Sequence, residues 1–306
     1  MRRAAAGLRD LDGILLLDKP AGPSSNQALQ RARRLLGARK AGHAGTLDPL
    51  ATGLLPVLLG EATKFSGSLS EADKVYEATI WFGVTTTTGD LDGEIVDRRA
   101  AHLTIEQVVR VAEQFRGNIS QVPPMHSALK VAGRPLYERA RRGETIERAS
   151  RSVHVKELAV RELRGDECDI RVHCSKGTYI RALAEDIGQA LGCGATLKRL
   201  RRTAVGAFAI EAAITLEELE SRGAPCAESK LLPIDAALAH LPAIRLAATV
   251  AAQVLRGQRV AVQADETTHA RLYDGDSDRF LGVGRVVDGT LQARRLVASD
   301  TRNCLR

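Results

Sequence analysis

The sequence predicts an α+β protein: a mixed α/β main body followed by a small β-rich C-terminal domain. Three observations carry this. Short apolar or alternating runs at 13–18, 75–82 and 168–174 read as strands. Between them, apolar residues recur at helical spacing behind capping residues. Near Leu241-Pro242 that pattern breaks, and two short runs flank Asp288-Gly289, a hairpin signal. With 306 residues the chain suits about two domains, placed at 1–245 and 246–306.

Gly13-Ile14-Leu15-Leu16-Leu17-Asp18 reads as a buried strand that turns at Lys19-Pro20-Ala21-Gly22-Pro23. Ser24 or Ser25 then caps a helix whose inward face is Ala28, Leu29, Ala32, Leu35 and Leu36, with Gly37 as its C-terminal cap. Residues 42–60 are dense in Gly and Pro yet rich in Leu, which suits an ordered, partly buried loop. A strand at 75–82 leads to a polar turn at 85–93. Thr104-Ile105-Glu106-Gln107 has the form of a capping box, for a helix expected to stop at Gly117. Residues 120–152 hold Pro123-Pro124 and then Arg134, Arg139, Arg141, Arg142, Arg148 and Arg151, and are expected to form a basic, mobile insertion or else a solvated helix. After the strand ending at Cys174, Ser175-Lys176-Gly177-Thr178 turns into a helix with Ile180, Leu183, Ala184, Ile187 and Leu191 inward. Lys198-Arg199-Leu200-Arg201-Arg202 is a compact basic cluster, and Thr215 opens one more short helix.

The composition is globular, with 44% hydrophobic and 26% charged residues, but poor in aromatics: 5 Phe, 4 Tyr and 1 Trp. An aromatic beside polar motif residues is therefore informative. The net charge of +7 favours a polyanionic partner, nucleic acid before acidic membrane, with solubility as the simpler alternative. No apolar run approaches a membrane span, and the basic start Met1-Arg2-Arg3 has no uninterrupted apolar region behind it, so a cytoplasmic location is expected. Five cysteines (Cys168, Cys174, Cys193, Cys226, Cys304) with no C-x-x-C pair argue against a disulfide framework or a zinc ribbon; His173-Cys174 reads as half-buried strand.

The densest motif is Gly42-His43-Ala44-Gly45-Thr46-Leu47-Asp48-Pro49-Leu50-Ala51-Thr52-Gly53. Its glycines at 42, 45 and 53 permit unusual backbone geometry or close approach. Asp48 lies among apolar neighbours, where a carboxylate needs a partner to stay ionised and can then act as nucleophile or electrostatic stabiliser. The competing reading, of equal weight from Asp48 alone, is a helix start with Asp48 as N-cap and Pro49 at N1. There is no G-x-S-x-G elbow, Walker A loop, H-E-x-x-H or complete dinucleotide fingerprint.

This motif resembles the signature loop of the TruB family, the bacterial tRNA pseudouridine-55 synthases. Further motifs follow in the family's order: Lys19-Pro20-x-Gly22 with Ser25; Lys74-x-Tyr76; Gly83-x-x-Thr86-x-Thr88-x-Asp90-x-x-Gly93; Pro123-Pro124-x-x-Ser127-Ala128-x-Lys130; Ser175-Lys176-Gly177-Thr178-Tyr179-Ile180-Arg181; and Leu200-Arg201-Arg202. The resemblance covers about residues 13–240, and more loosely the tail, which is similar to a small PUA-like RNA-binding domain. Ser24 and His126 depart from the residues common in relatives, Thr and Tyr, and His126 is given no role. The implied fold is one mixed, largely antiparallel sheet with flanking helices, crossed by the Asp48 loop, with the basic insertion closing over RNA.

The implied reaction breaks the uridine N1–C1′ bond and joins C5 to C1′, so neither redox cofactor nor metal is needed. Asp48 would be the catalytic carboxylate, attacking C1′, attacking the base or assisting elimination to a glycal. Arg181 would pair with Asp48, with a surface pair to Glu185 as the alternative. Tyr76 would stack on the uracil and assist removal of its C5 proton, His43 would displace or hold the nucleotide, and Tyr179 and Leu200 would line the base pocket. The target, uridine 55 in the T-loop of tRNA, must be extruded first. Basic residues at 31–34, 39–40, 134–151 and 198–202 would track phosphates. Lys19 would serve loop structure or phosphate proximity. No obligate protein partner is expected, and a monomer is. The rival readings are an RNA-binding or tRNA-folding module without chemistry, and a glycosidic hydrolase pairing Asp48 with Asp90.

Overall fold

The computed structural model describes residues 8–298 apart from positions 128, 132, 141 and 145. Cys304, the basic start at Met1-Arg2-Arg3, Ala128 of the inserted-loop motif and Arg141 of the basic insertion lie outside the described residues. Eight strands follow one another across the main sheet: Ile214–Thr215, Gly13–Lys19, Thr52–Leu59, Ala195–Val205, Lys74–Phe82, Glu167–Cys174, Arg151–Arg164 and Gly117–Gln121. Ala41–His43 adds to Thr52–Leu59, and Phe208–Ala209 to Ala195–Val205. Two neighbouring pairs are parallel, Gly13–Lys19 with Ile214–Thr215 and Thr52–Leu59 with Ala195–Val205; the rest are antiparallel. The sheet is thus mixed and largely antiparallel.

The unbroken apolar run at 13–17 reflects burial on both faces. Leu15 and Leu17 pack with Leu55 and Val57 under the helices Ser25–Leu36 and Leu216–Glu228. Ile14 and Leu16 face the other way, into a cluster with Leu54, Phe65, Phe208 and Val283. A strand covered on both sides shows no alternation. The same fact corrects the expected loop at 42–60: most of it is the strands Ala41–His43 and Thr52–Leu59, and only the residues between them form a loop.

Helix ends obey their local chemistry. Ser24 caps Ser25–Leu36 through a capping box with Gln27, and Gly37 ends it at φ 64°. Thr104 and Thr215 cap their helices likewise. The helix from Ile105 stops at Ala112 and tightens into a 3₁₀ turn over Glu113–Phe115, short of Gly117. Within 120–152 the chain completes the strand Gly117–Gln121, makes a hairpin of Lys130–Val131 with Arg134–Pro135, and forms the short helix Leu136–Ala140, anchored by fully buried Leu136.

A second, five-stranded sheet begins at Ala243–Leu246 and is ordered Ala243–Leu246, Thr267–Asp274, Arg279–Val287, Thr290–Leu296, Val260–Ala261. Asp288 and Gly289, at φ 51° and 65°, make the expected tight turn between two of its strands. Phe280 meets Phe65 edge-on at 5.7 Å, and the Tyr273 hydroxyl donates to Asp235 Oδ2 at 2.6 Å, so this sheet is seated on the main body. No helix among the described residues is long and apolar enough to cross a membrane.

One close approach sets the distance between the central strands. Gly53 (φ 102°) lies opposite Arg202, and a Cβ there would stand 2.3 Å from the Arg202 carbonyl oxygen. Gly53→Ala therefore forces backbone apart in a conformation that L-residues avoid. We expect it to cost about 3 kcal/mol or more of unfolding free energy, read as a lowered urea midpoint; an unchanged midpoint would contradict this packing.

Candidate active site

Five of the six side chains singled out above line one cleft of about 230 Å³: Asp48, Tyr76, Tyr179, Arg181 and Leu200. The sixth, His43, ends the short strand opposite Val57 and is not among the lining residues.

Asp48 sits on the loop joining Ala41–His43 to Thr52–Leu59. No helix starts there; the Ala51 amide donates to Asp48 O at 3.1 Å, closing a turn. The loop is held at several points. Ser25 Oγ donates to Leu47 O at 2.9 Å and accepts from Leu47 N at 2.7 Å. Arg202 Nη2 donates to Gly45 O at 3.0 Å, where Gly45 takes φ 79°. Pro49 O accepts from Gly22 N at 2.9 Å and from Lys19 Nζ at 3.3 Å. Gly42, by contrast, has no positive φ and space for a Cβ, so it is not required as the other two glycines are.

Arg181 lies in the first turn of the helix Ile180–Ala190, behind Tyr179, whose main chain exchanges two hydrogen bonds with the Gln121 side chain. Its side chain is 4% exposed, and its Nη2 stands 2.8 Å from Asp48 Oδ2. The rest of the guanidinium is engaged too: Nη2 donates to His126 O (2.6 Å), Nη1 to Thr88 O (3.0 Å), and Nε lies 3.5 Å from Asp90 Oδ2. The alternative pair with Glu185 does not form; Glu185 instead abuts Gly89. Asp90 is itself buried and accepts from the Thr88 hydroxyl and Asp92 N.

The Asp48 side chain remains 35% exposed, open to the cleft on one side and surrounded by protein on the others. Burial pushes its pKa above the ordinary aspartate value; Arg181 pulls it back and the like charge of Asp90 adds to the rise. Burial likewise raises the Tyr76 phenol, opposed by the neighbouring Arg202 guanidinium. It lowers His43, further lowered by Arg202, and leaves the His43 Nδ1 atom buried without a hydrogen-bond partner among the described residues. Burial brings both Lys19 and Lys74 down to about 8.

Arg202 is the residue whose place the sequence reading missed. Expected to track phosphates, it is 1% exposed and donates to Leu54 O (2.8 Å) as well as Gly45 O. It pairs across the sheet with Tyr76. Period two along Ala195–Val205 was the available signal: Leu200 and Arg202 share one face, whereas Arg199 and Arg201 take the other. Other members of the expected phosphate track are ion-paired: Arg31 with Glu220, Arg39 with Asp10, Lys198 with Glu167 and Arg201 with Asp18. Lys19, fully buried, serves loop structure through Pro20 O and Pro49 O.

Family models match this chain in three consecutive stretches: the N-terminal domain of TruB family pseudouridylate synthase over 33–180, the tRNA pseudouridylate synthase B C-terminal domain over 181–239, and the C-terminal part of pseudouridine synthase II TruB over 242–297. Among curated relatives, tRNA pseudouridine synthase B of Cupriavidus metallidurans is 53% identical over 299 residues, covering 94% of this chain and 95% of the relative. That of Azoarcus sp. is 52% identical over 293 residues, covering 96% and 97%. Among solved structures, an H/ACA RNP bound to a substrate RNA containing 2′-deoxyuridine aligns at TM-score 0.71 and 25% identity, covering 94% of this chain and 86% of the other. A Cbf5-Nop10-Gar1 complex aligns at 0.71 and 27%, covering 93% and 84%.

Carboxyl-resolved NMR titration tests the electrostatics of the cleft. The Asp48 carboxyl should titrate with a midpoint above the ordinary aspartate value of 3.8. Arg181→Met, which removes the cation that opposes burial, should move the midpoint further up. A midpoint at or below the ordinary value in the unaltered protein would show that Arg181 outweighs burial.

Proposed function

The chain belongs to the TruB family of pseudouridylate synthases, and from that premise we propose that it isomerises uridine 55 in the T-loop of tRNA, with Asp48 as the catalytic carboxylate acting on an extruded nucleotide. The coarser activity comes with the family: an isomerase that forms pseudouridine in tRNA. The finer reading is carried by one observation, the Asp48–Arg181 contact of 2.8 Å in a cleft that Tyr76, Tyr179 and Leu200 also line.

Isomerisation of uridine leaves the atom count unchanged. The N1–C1′ bond breaks, a C5–C1′ bond forms, C5 loses a proton and N1 gains one. The protein must hold an anionic group against the sugar, keep water out and retain the detached base while it turns. Asp48 supplies the anion, and Arg181 keeps it on one side of the cleft. Nearly buried Tyr76 and Leu200 offer flat apolar contacts to a pyrimidine ring. A cleft on the scale of a single nucleoside admits an unstacked base and excludes a paired helix, so extrusion precedes chemistry. His43, lowered in pKa and therefore neutral near pH 7, offers a ring for packing beside the displaced nucleotide.

The functional division follows the same reading. Residues 1–245 carry the chemistry, with 120–152 as the segment that closes over RNA, and 246–306 form an RNA-binding unit. Acting alone on tRNA, the chain gains affinity from phosphate contacts that fall away as salt rises.

Incubation with unmodified tRNA transcript should place pseudouridine at position 55 only. Asp48→Asn should abolish release of tritium from C5-labelled uridine, at least about 10³-fold, while binding tRNA within about twofold of the unaltered protein, because phosphate contacts dominate affinity. Undiminished release by that variant would remove Asp48 from the chemistry. Free uracil among the products would instead favour glycosidic hydrolysis, and faster tRNA refolding without pseudouridine would favour a folding module.

A further inference from the structure

Ser127 lines the same cleft as Asp48 and Arg181. It is 4% exposed, and its hydroxyl has no hydrogen-bond partner among the described residues. Three other cleft hydroxyls are engaged: Ser70 with Ser66 O, Thr178 with Ser175 O, and Ser175 with the His154 amide. A buried hydroxyl left unpaired is costly, and native folds seldom keep one without a use.

The backbone around Ser127 is fixed on both sides. His126 O accepts from Arg181 Nη2 at 2.6 Å, so the residue before Ser127 is tied to the guanidinium that holds Asp48. Ser127 O accepts from Tyr137 N at 3.0 Å, at the start of the short helix anchored by Leu136. The hydroxyl is thereby held at the wall of the cleft with its donor and acceptor capacity unspent, in a cleft where Asp48 is the one carboxylate among the described lining residues.

We propose that Ser127 is a substrate-binding residue whose Oγ hydrogen-bonds a polar atom of the extruded uridine once that nucleotide fills the cleft. This rests on the proposed synthase function and adds a contact to it. A hydroxyl suits the task because it donates and accepts in one rotation, and uridine carries both kinds of group on its base edge and its ribose. The contact belongs to the cleft-bound nucleotide and not to the free protein. The Ser127 hydroxyl therefore contributes to catalysis and nothing to folding.

Ser127→Ala separates these roles. The expected result is a single-turnover rate of pseudouridine formation reduced about fivefold or more, with tRNA affinity within about twofold of the unaltered protein and a urea midpoint unchanged or raised. A rate equal to that of the unaltered protein overturns the proposal. So does a rate loss accompanied by a lowered urea midpoint, because the hydroxyl would then have a partner in the free fold. The unaltered protein is assayed beside the variant on the same transcript. If it forms no pseudouridine at position 55, the synthase reading fails and this contact with it; if it does and Ser127→Ala matches it, the contact alone fails.

Discussion

The Arg181 guanidinium, withdrawn from solvent, is the interaction on which the rest of the cleft depends. Burying a cation is tolerable only when its charge and its N–H groups are met. Arg181 meets two carboxylates, Asp48 and Asp90, and two carbonyls, those of Thr88 and His126. These partners come from the motif loop, the polar turn and the segment after Pro123-Pro124, and the arginine itself from a fourth element, the helix Ile180–Ala190. One side chain therefore draws four distant stretches of sequence to a point. Burial and the like charge of Asp90 hold the Asp48 proton more tightly than water would, and Arg181 opposes both.

A second buried cation supports the first by different means. Arg202 makes no salt bridge among the described residues; it satisfies itself on the carbonyls of Gly45 and Leu54. Its charge is felt by Tyr76 and His43, while its hydrogen bonds fix the entrance to the Asp48 loop. Ser25 and Lys19 hold the middle and the far end. The loop is irregular in secondary structure but not loosely tethered. That is the condition for a carboxylate to keep its position while a substrate moves past it.

Much of this was legible in sequence, and the failures have two causes. Capping boxes at Ser24, Thr104 and Thr215, the Asp288-Gly289 turn and the alternating strands at 75–82 and 168–174 are local signals, and all appear. The spacing of the motif loop drew attention to Asp48 without deciding between chemistry and a helix start. Only family resemblance tied it to Tyr76 and Arg181, because residues so far apart in sequence carry no mutual signal. One misreading came where burial on two faces erased periodicity, the other where a run of charge hid it. The strand Thr52–Leu59 passed as a loop because Leu and Val point both ways, and Arg202 passed for a surface charge because it stands among three basic neighbours. Arginine in a basic run is ordinarily solvated; a place on the Leu200 face of its strand was the one clue that this one is not.

Tyr76 shows how such burial constrains the chemistry available. Its phenol is raised by desolvation, so the free protein presents it as a neutral group. A neutral phenol cannot take a proton from C5 directly. It can lie against a pyrimidine, donate a hydrogen bond, or pass on a proton when a stronger base forms nearby. Arg202, set across the sheet from it, lowers the cost of any negative charge that develops on the phenol oxygen. Under the proposed function, the pairing of a buried phenol with a buried guanidinium suits a ring that first holds the base by contact and takes part in proton movement only as charge shifts during the reaction. Asp48 lines the same cleft and is held by its own guanidinium, that of Arg181. The two cations therefore act on different groups, Arg181 on Asp48 and Arg202 on Tyr76.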